Sequence, residues 1–184
     1  MRRLRLSLWT ALRQGRLRQS PPIEIRKLAT SRWEDYRRLR LESLDGSPLA
    51  FGSAPEEESG LRASEWKKKM KDTYFAMDGE TPVGMVVVSF SEQVKFRHNA
   101  EIYSFYVRPA HRGKGVGKAL LGYALGLAKE DKRIVKVRLY VNSQQRAAIR
   151  LYRSKGFAVT GTLLKEMKVG ERFYTMFIME KMIR

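Results

Sequence analysis

The chain has 184 residues, a formal net charge of +18 at pH 7, no cysteine and two histidines. The length suits one domain, and the lack of cysteine excludes disulfides, thiolate metal ligands and cysteine nucleophiles. Two histidines leave little material for a metal site or a histidine-based triad, so we expect no metal. The charge favours a polyanionic partner (nucleic acid, a membrane surface or a phosphorylated small molecule), unless it is only a solvated basic surface.

A basic extension precedes the domain. Residues 1–20 read "MRRLRLSLWTALRQGRLRQS", with six arginines, no acidic residue and leucines at helical spacing. This composition is typical of an organellar transit peptide or of a basic helix on an anionic membrane, and it also fits a disordered tail or a misassigned start. The Pro21-Pro22 break predicts that residues 1–22 form the extension and that a single domain covers residues 23–184.

The elements of the domain follow from hydrophobic periodicity and turn residues. No apolar run reaches the 18 residues or more of a membrane-spanning helix, so we expect no membrane span. Asp78-Gly79 is a preferred tight-turn pair between two apolar runs. In chain order we predict a strand at 23–28, a helix from 30 or 31 to 44, a loop at 45–60, a short helix at 64–71, a hairpin around 78–79, a strand at 100–107, a helix at 115–129, a strand at 134–141, a helix at 144–154, and two strands around a turn at 169–170.

This order predicts a mixed α/β fold. A helix joins the strands at 100–107 and 134–141, so we expect those two strands to be parallel. The hairpins at the start and the end of the domain favour antiparallel pairing elsewhere.

A glycine-rich turn lies between one strand and the next helix. The segment "VRPAHRGKGVGKALLGYAL", residues 107–125, passes through three glycines into an apolar-periodic helix. A helix start offers unpaired N–H groups and the positive end of the helix dipole, and glycines let a bulky anion approach the backbone closely. Because Arg112, Lys114 and Lys118 add positive charge, the turn predicts a phosphate cradle, most naturally for a pyrophosphate.

Two better-known phosphate motifs are absent. A P-loop requires Ser or Thr after its Gly-Lys pair, where this chain has Ala119. The dinucleotide fingerprint GxGxxG requires a third glycine where this chain has Lys118. The turn therefore belongs to neither class.

What the turn does fit is Arg-x-x-Gly-x-Gly, "RGKGVG", from Arg112 to Gly117. Here the chain resembles the GNAT family of N-acetyltransferases, whose motif is (Gln/Arg)-x-x-Gly-x-(Gly/Ala). "EIYSFYVRP" before the turn and "LYVNSQQRAAIRLYRSKGF" after it strengthen the resemblance, which is specific over residues 100–157 and covers the architecture of about 23–182. It implies the family fold: a central, mostly antiparallel sheet with one parallel β-α-β pair, flanked by helices.

The resemblance also implies acetyl-CoA as cosubstrate. The backbone N–H near Tyr106 and Val107 would polarise the thioester carbonyl, and Ala148 would lie along the cofactor. Gln145 stands where many relatives have Asn, so its longer amide is expected to contact the pantetheine or the cofactor backbone, a contact that Asn142 could share or assume. The pyrophosphate would be held by the turn, that is by Arg112, Gly113, Lys114, Gly115, Val116, Gly117 and Lys118.

Two residues are nominated for the chemistry. Glu101 stands eleven residues before Arg112, the offset of the catalytic Glu in the histone-acetylating branch of the family, which implies a general base acting through water; the alternative is an ordinary edge-strand carboxylate. Tyr152 matches the tyrosine of the family's L-Y-x-x-x-G-F segment, which implies either a general acid toward the CoA thiolate or simply a hydrogen bond to the sulfur, and in both cases a cofactor contact. The alternative for Tyr152 is packing alone.

The leading hypothesis is thus a cytoplasmic N-acetyltransferase that moves an acetyl group from acetyl-CoA to a primary amine, small molecule or protein. The alternatives are a basic nucleic-acid-binding module and a non-catalytic CoA-binding relative. No RRM, zinc-finger or helix-turn-helix pattern occurs, so no stable nucleic-acid complex is expected. The partners expected are acetyl-CoA, an unidentified amine acceptor and, as is common among relatives, a second copy of the chain in a homodimer through the C-terminal strands.

Overall fold

The computed structural model of the protein describes residues 23–184. The expectations for residues 1–22, whether transit peptide, membrane-surface helix or tail, lie outside the described residues.

The centre of the domain is one seven-stranded sheet in the order β1-β2-β3-β4-β5-β7-β6. All neighbouring pairs are antiparallel except β4 and β5, which are parallel. The mixed fold and the parallel pair predicted from the sequence are therefore confirmed. The strands are β1 (Glu24–Arg26), β2 (Thr73–Asp78), β3 (Thr81–Phe90), β4 (Asn99–Val107), β5 (Lys136–Asn142), β6 (Ala158–Val169) and β7 (Arg172–Met182).

Helices cover both faces of the sheet. One face packs against the fourth helix, whose apolar residues recur every three or four positions and bury Leu120, Leu121 and Ala124 completely. The other face packs against the first and third helices through Tyr36, Leu39 and Trp66. The helices are α1 (Trp33–Gly46), α2 (Pro55–Ser59), α3 (Ala63–Lys69), α4 (Val116–Glu130) and α5 (Arg146–Ser154).

The expectation of a continuous loop at 45–60 is wrong in one place. Pro55–Ser59 forms α2, with Pro55 in its first turn, where the missing N–H costs nothing. The Glu57 side chain accepts a hydrogen bond from the N–H of Ala54, which caps the helix start. The helix buries Glu58 on its inner side.

None of the helices described in residues 23–184 has the length and apolar character needed to cross a membrane.

Candidate functional site

The candidate site is built around an irregularity in the pairing of β4 with β3. Met85 of β3 pairs with Tyr106, whereas Val87 pairs with Tyr103, so two residues of β4 lie opposite a single residue of β3. This is a β-bulge, and Ser104 within it has a φ of 50°, in the left-handed region that non-glycine residues rarely adopt. The bulge turns the end of β4 away from its original line.

Beyond the bulge, β4 and β5 separate. Their parallel pairing runs from Asn99 opposite Lys136 to Ile102 opposite Leu139 and then stops, although both strands continue. The separation opens a cleft of about 570 Å³ between the end of β4, the start of α4 and the start of α5. The cleft is lined by Phe105, Tyr106, Val107, Arg112, Gly113, Gly117, Gln145, Ala147, Ala148 and Leu151, and by the loop residues 46–50.

The glycine-rich turn presents a row of free backbone donors at one end of this cleft. The N–H of Arg112 donates to the Pro109 carbonyl, and the N–H of Ala119 donates to the Gly115 carbonyl as the first bond of α4. Among the described residues, none of the six N–H groups from 113 to 118 donates to a backbone or side-chain acceptor. Such a row at a helix N-terminus is an anion site.

Glycine is required at two positions of that turn. Gly113 and Gly115 have φ values of 75° and 83°, and Gly115 is the N-cap residue directly before α4. Gly117 differs from them, since a Cβ there would make only ordinary contacts, 3.4 Å from Leu151 and 3.6 Å from Phe105. Backbone conformation thus accounts for the first two glycines of the turn.

The basic residues of the turn are held differently from one another. Arg112 donates from Nε to the Val107 carbonyl at 2.9 Å and lies over the Tyr106 ring, with 5.7 Å from the guanidinium carbon to the ring centre. Arg112 therefore lines the cleft in a fixed position. Lys114 and Lys118 are exposed beside it and do not line the cleft.

Tyr106 is anchored on the other side of the strand. Its hydroxyl donates to Glu42 Oε1 at 3.1 Å, and Arg108 holds Oε2 of the same carboxylate at 2.8 Å. Burial, together with the charge and hydrogen bond of Glu42, raises the pKa of Tyr106. These contacts tie the end of β4 to α1 and fix one wall of the cleft.

A second pocket, of about 490 Å³, adjoins the cleft. Both are lined by Ala50, Phe105, Gln145 and Ala148, so they meet at the bulge. The second pocket adds Tyr152 and the edges of β3, β5, β6 and β7, and its size is in the range of small-molecule sites.

Tyr152 lies on the wall of this second pocket. The residue is 5% exposed, and burial raises the pKa of its phenol, which keeps the proton on the hydroxyl at neutral pH. Within residues 23–184 the hydroxyl makes no hydrogen bond, whereas the ring packs edge to face on Phe105 and on Phe157. The phenol therefore retains a proton that no neighbouring group accepts.

The two amide side chains expected near the cofactor differ in position. Gln145 lines both pockets, directly before α5. Asn142 is 1% exposed and lines only the second pocket; its Oδ1 accepts the N–H of Gln144 at 3.0 Å and its Nδ2 lies 3.8 Å from the Met167 sulfur.

Glu101 lies apart from the other candidates. It is half-buried near the start of β4 and lines a separate depression with Ser89, Asn99 and Arg138. Tyr103, two residues along the strand, lines the second pocket, and the charge of Glu101 contributes to raising the Tyr103 pKa, after burial and Asp72. Glu101 is thus two residues along β4 from Tyr103, which marks the edge of the pocket that contains Tyr152.

Sequence reasoning missed a buried ion pair in the wall of the second pocket. Arg40 of α1 holds the Glu58 carboxylate with two nitrogens, at 2.7 and 3.1 Å, and Lys69 of α3 adds a contact of 3.3 Å. Burial alone would raise the pKa of Glu58, but the hydrogen bonds and charge of Arg40, with the charge of Lys69, hold it below its usual value. One signal was available, since Arg40 follows Tyr36 by one helical turn on the apolar face of α1.

Three comparisons with known proteins agree with this geometry. The model of the "Acetyltransferase (GNAT) family" matches residues 26–157, and the chain therefore belongs to the GNAT acetyltransferase family. The bulge, the separated strands and the glycine-rich turn described above all fall within the matched residues.

The names of individual relatives give different substrates. An L-methionine sulfoximine/L-methionine sulfone acetyltransferase of Salmonella typhimurium is 41% identical over 78 residues, which are 42% of this chain and 43% of that protein. The match thus spans less than half the length of that curated relative. A spermidine N(1)-acetyltransferase of Thermoplasma acidophilum is 27% identical over 76% of this chain and 91% of its own.

The fold is also that of solved members of the family. A phosphinothricin acetyltransferase of Sinorhizobium meliloti, solved in complex with acetyl-CoA, superimposes with a TM-score of 0.75 at 20% identity, over 87% of this chain and 88% of its own.

Proposed function

We propose that this protein transfers the acetyl group of acetyl-CoA directly to a primary amine. The observation that carries the proposal is the continuity of two pockets at the β4 bulge: one begins at six free N–H groups, and the other contains the Tyr152 phenol. A donor with a phosphate end and a reactive end fits this arrangement, because the phosphates and the reacting carbon would lie in different pockets.

The residues of the turn suit the phosphates of acetyl-CoA. The N–H groups of residues 113–118 and the α4 dipole would bind the diphosphate, with Arg112, Lys114 and Lys118 supplying positive charge around it. Gly113 and Gly115 add no side chain that would block this approach, and space is open around both. Gln145 and Ala148 line the path between the turn and the second pocket.

The transfer exchanges one bond for another. The neutral amine nitrogen forms a C–N bond to the acetyl carbon, the C–S bond breaks, the nitrogen gives up one proton, and the CoA thiolate takes one. An amine that arrives as the ammonium loses a further proton before attack, which passes to the base and then to water. A backbone N–H of Tyr106 or Val107 would stabilise the oxyanion, as the bulge frees the end of β4 from its parallel neighbour.

Tyr152 would supply the proton to the thiolate. Its raised pKa keeps it protonated, and it lies in the pocket next to the meeting point of the two pockets. Glu101 would accept the proton of the amine through water, because Glu101 lies outside the pocket. It is two residues along β4 from Tyr103, which lies at the pocket edge. A primary alkylamine has a pKa of about 10.4, so removal of a proton near pH 7 is needed before attack.

The acceptor is not defined by family membership, because the same fold serves many acceptors. The relatives named above act on a methionine derivative, on spermidine and on phosphinothricin. The cytoplasmic location and the homodimer expected from the sequence stay predictions, to be tested by fractionation of the native host and by light scattering.

The test is a panel of amines incubated with acetyl-CoA, with thiol release and product mass measured for each amine. We expect at least one primary amine to gain one acetyl group with stoichiometric release of CoA. Binding of acetyl-CoA without transfer to any amine would indicate the non-catalytic alternative. Salt-dependent DNA binding with no affinity for acetyl-CoA would indicate the nucleic-acid module.

A further inference from the structure

The charged residues of the second pocket have only one sign. Arg40 and Lys69 line this pocket, and no Asp or Glu among the described residues does so. The other polar groups on its wall are neutral, chiefly the hydroxyls of tyrosines and serines and the amides of Asn142 and Gln145. A site built for a polycationic amine would need carboxylates where this pocket has cations.

Arg40 is held in place as a fixed group. Its Nε and Nη2 bind the two oxygens of Glu58, and the two side chains are 6% and 3% exposed. The guanidinium lies over the Phe51 ring, with its carbon 4.8 Å from the ring centre. Buried ion pairs rarely add stability over an apolar replacement of similar volume, so its position on a pocket wall points to a binding role.

The third nitrogen of Arg40 faces the bulge. Nη1 donates a hydrogen bond to the Ser104 hydroxyl at 3.3 Å, and both residues line the pocket. A guanidinium Nη carries two N–H groups, so Nη1 keeps a second one beyond the bond to Ser104. An anionic group beside Ser104 would therefore meet this charged N–H and the O–H of Ser104, whereas the fork formed by Nε and Nη2 stays on Glu58.

The ion cluster is not neutral. Arg40 and Lys69 both contact Glu58, at 2.7 and 3.3 Å from the same Oε1, so two positive charges share one negative charge. The remaining positive charge faces the pocket through Lys69, whose side chain is 38% exposed. A substrate carrying one negative charge would balance the cluster, and a substrate with only positive charges would be repelled.

From these observations we infer that the acceptor is an amine with a carboxylate close to it, of the α-amino acid class, and that Arg40 and Lys69 bind the carboxylate. This inference rests on the proposed function, because the same pocket must hold the amine next to the meeting point of the two pockets. With the carboxylate at Arg40 and Ser104, the amine would extend along the same pocket toward Phe105 and the phenol of Tyr152, which also line it.

The test compares each amino acid with its own amide across a panel that includes spermidine. The kcat/KM of each pair is corrected for the unprotonated fraction of the amine, so that only the carboxylate differs. We expect the parent to prefer amino acids by about 10- to 100-fold, as a charge-assisted hydrogen bond predicts. K69M should lower this ratio, mainly through a higher KM for the acids.

Removing Arg40 alone would leave the buried Glu58 with only the partly exposed Lys69 as its counterion. The informative variant is therefore R40M/E58Q, which keeps the volume and removes both charges. We expect it to lower the preference for acids over amides, because the Arg40 donor is gone whereas Lys69 remains, while its dissociation constant for acetyl-CoA stays within about twofold of the parent value, a change of about 0.4 kcal/mol. E56Q, a charge removal at an exposed position of the same helix, is the control and should leave the ratio unchanged.

The inference is overturned if the parent acetylates amides or spermidine as well as it acetylates amino acids, or if both K69M and R40M/E58Q keep the parental ratio. Those outcomes leave the proposed transferase activity intact. Failure to acetylate any amine would overturn the transferase proposal itself, and the inference with it.

Discussion

Tyr152 and Phe105 contact each other edge to face, with ring centres 5.9 Å apart and an angle of 71° between the rings. Phe105 belongs to the β4 bulge and lines both pockets, whereas Tyr152 comes from α5 and lines only the second. This contact fixes the phenol next to the place where the two pockets meet. The position of the proposed acid thus depends on a backbone irregularity in a different element.

The first prediction concerns Tyr152 itself. Tyr152→Phe keeps the ring and its packing but removes the proton, so we expect kcat to fall by about 100-fold, in the range of general acid catalysis. Affinity for acetyl-CoA should change little, because the hydroxyl has no role in the phosphate site. Steady-state kinetics and calorimetry measure the two quantities separately. The control is Tyr74→Phe, because Tyr74 packs on Tyr123 outside both pockets. An unchanged kcat in Tyr152→Phe would exclude Tyr152 as the general acid.

The second prediction concerns the turn. Gly115→Asp places a carboxylate where the diphosphate is proposed to bind and puts a side chain on a residue with a φ of 83°. Like charges about 4 Å apart repel by roughly 1 to 4 kcal/mol, so we expect acetyl-CoA affinity to fall by about 5- to 1,000-fold. Calorimetric titration with acetyl-CoA measures this.

A matched control separates backbone strain from charge at the site. Gly170→Asp makes the same change at a φ of 56° in the turn between β6 and β7, away from both pockets, and should leave acetyl-CoA affinity unchanged. Equal loss of affinity in both variants would show that the effect comes from impaired folding.

The third prediction concerns Glu101. Glu101→Gln removes the proposed base, so transfer should slow by about 100-fold or more near neutral pH. The gap to the parent should narrow as the pH rises and more of the amine loses its proton without help. The pH profile of kcat/KM tests this, with Glu130→Gln, an exposed carboxylate at the end of α4, as control. A Glu101→Gln enzyme as fast as the parent would exclude Glu101 from the mechanism.

The fourth prediction concerns stability and pH. The folded protein lowers the pKa of Glu58 below its ordinary value of 4.5. A lowered pKa means that this group stabilises the fold above pH 4.5, and that the stabilisation is lost as the pH falls from 4.5 through the folded pKa. Glu58→Gln should lose about 3–5 kcal/mol at pH 7, since Arg40 then lies buried without a counterion.

The measurement is urea unfolding at several pH values between 7 and 3. The free energy of unfolding of Glu58→Gln should depend less steeply on pH below 4.5 than that of the parent, and the neighbouring exposed variant Glu56→Gln should follow the parent. Parallel pH dependences for all three proteins would contradict the assigned role of Glu58.

The sequence predicted some features because they are local. Three such features follow from residues within one hairpin or one β-α-β unit. They are the turn at Asp78-Gly79, the start of α4 directly after Gly115, and the parallel pairing of β4 with β5. The order of the remaining strands, by contrast, depends on pairing between distant segments, which no local pattern encodes.

The features that define the second pocket are non-local, and for that reason they were missed. The bulge at Ser104 is defined by how β4 pairs with β3, so the sequence of β4 alone does not reveal it. Three consecutive glutamates, residues 56–58, lie in α2. Only the contact with Arg40, eighteen residues away in the sequence, distinguishes the buried Glu58 from its exposed neighbours. The glycine-rich turn was therefore predictable from the sequence, whereas the charges of the second pocket required the structure.

A crystal structure with acetyl-CoA bound is the measurement that most directly tests the role of the turn. We expect the diphosphate oxygens to lie within hydrogen-bonding distance of the N–H groups of residues 113–118, and the thioester to lie beside Phe105 at the junction of the two pockets. Acetyl-CoA bound elsewhere on the chain, with no phosphate at these N–H groups, would contradict it.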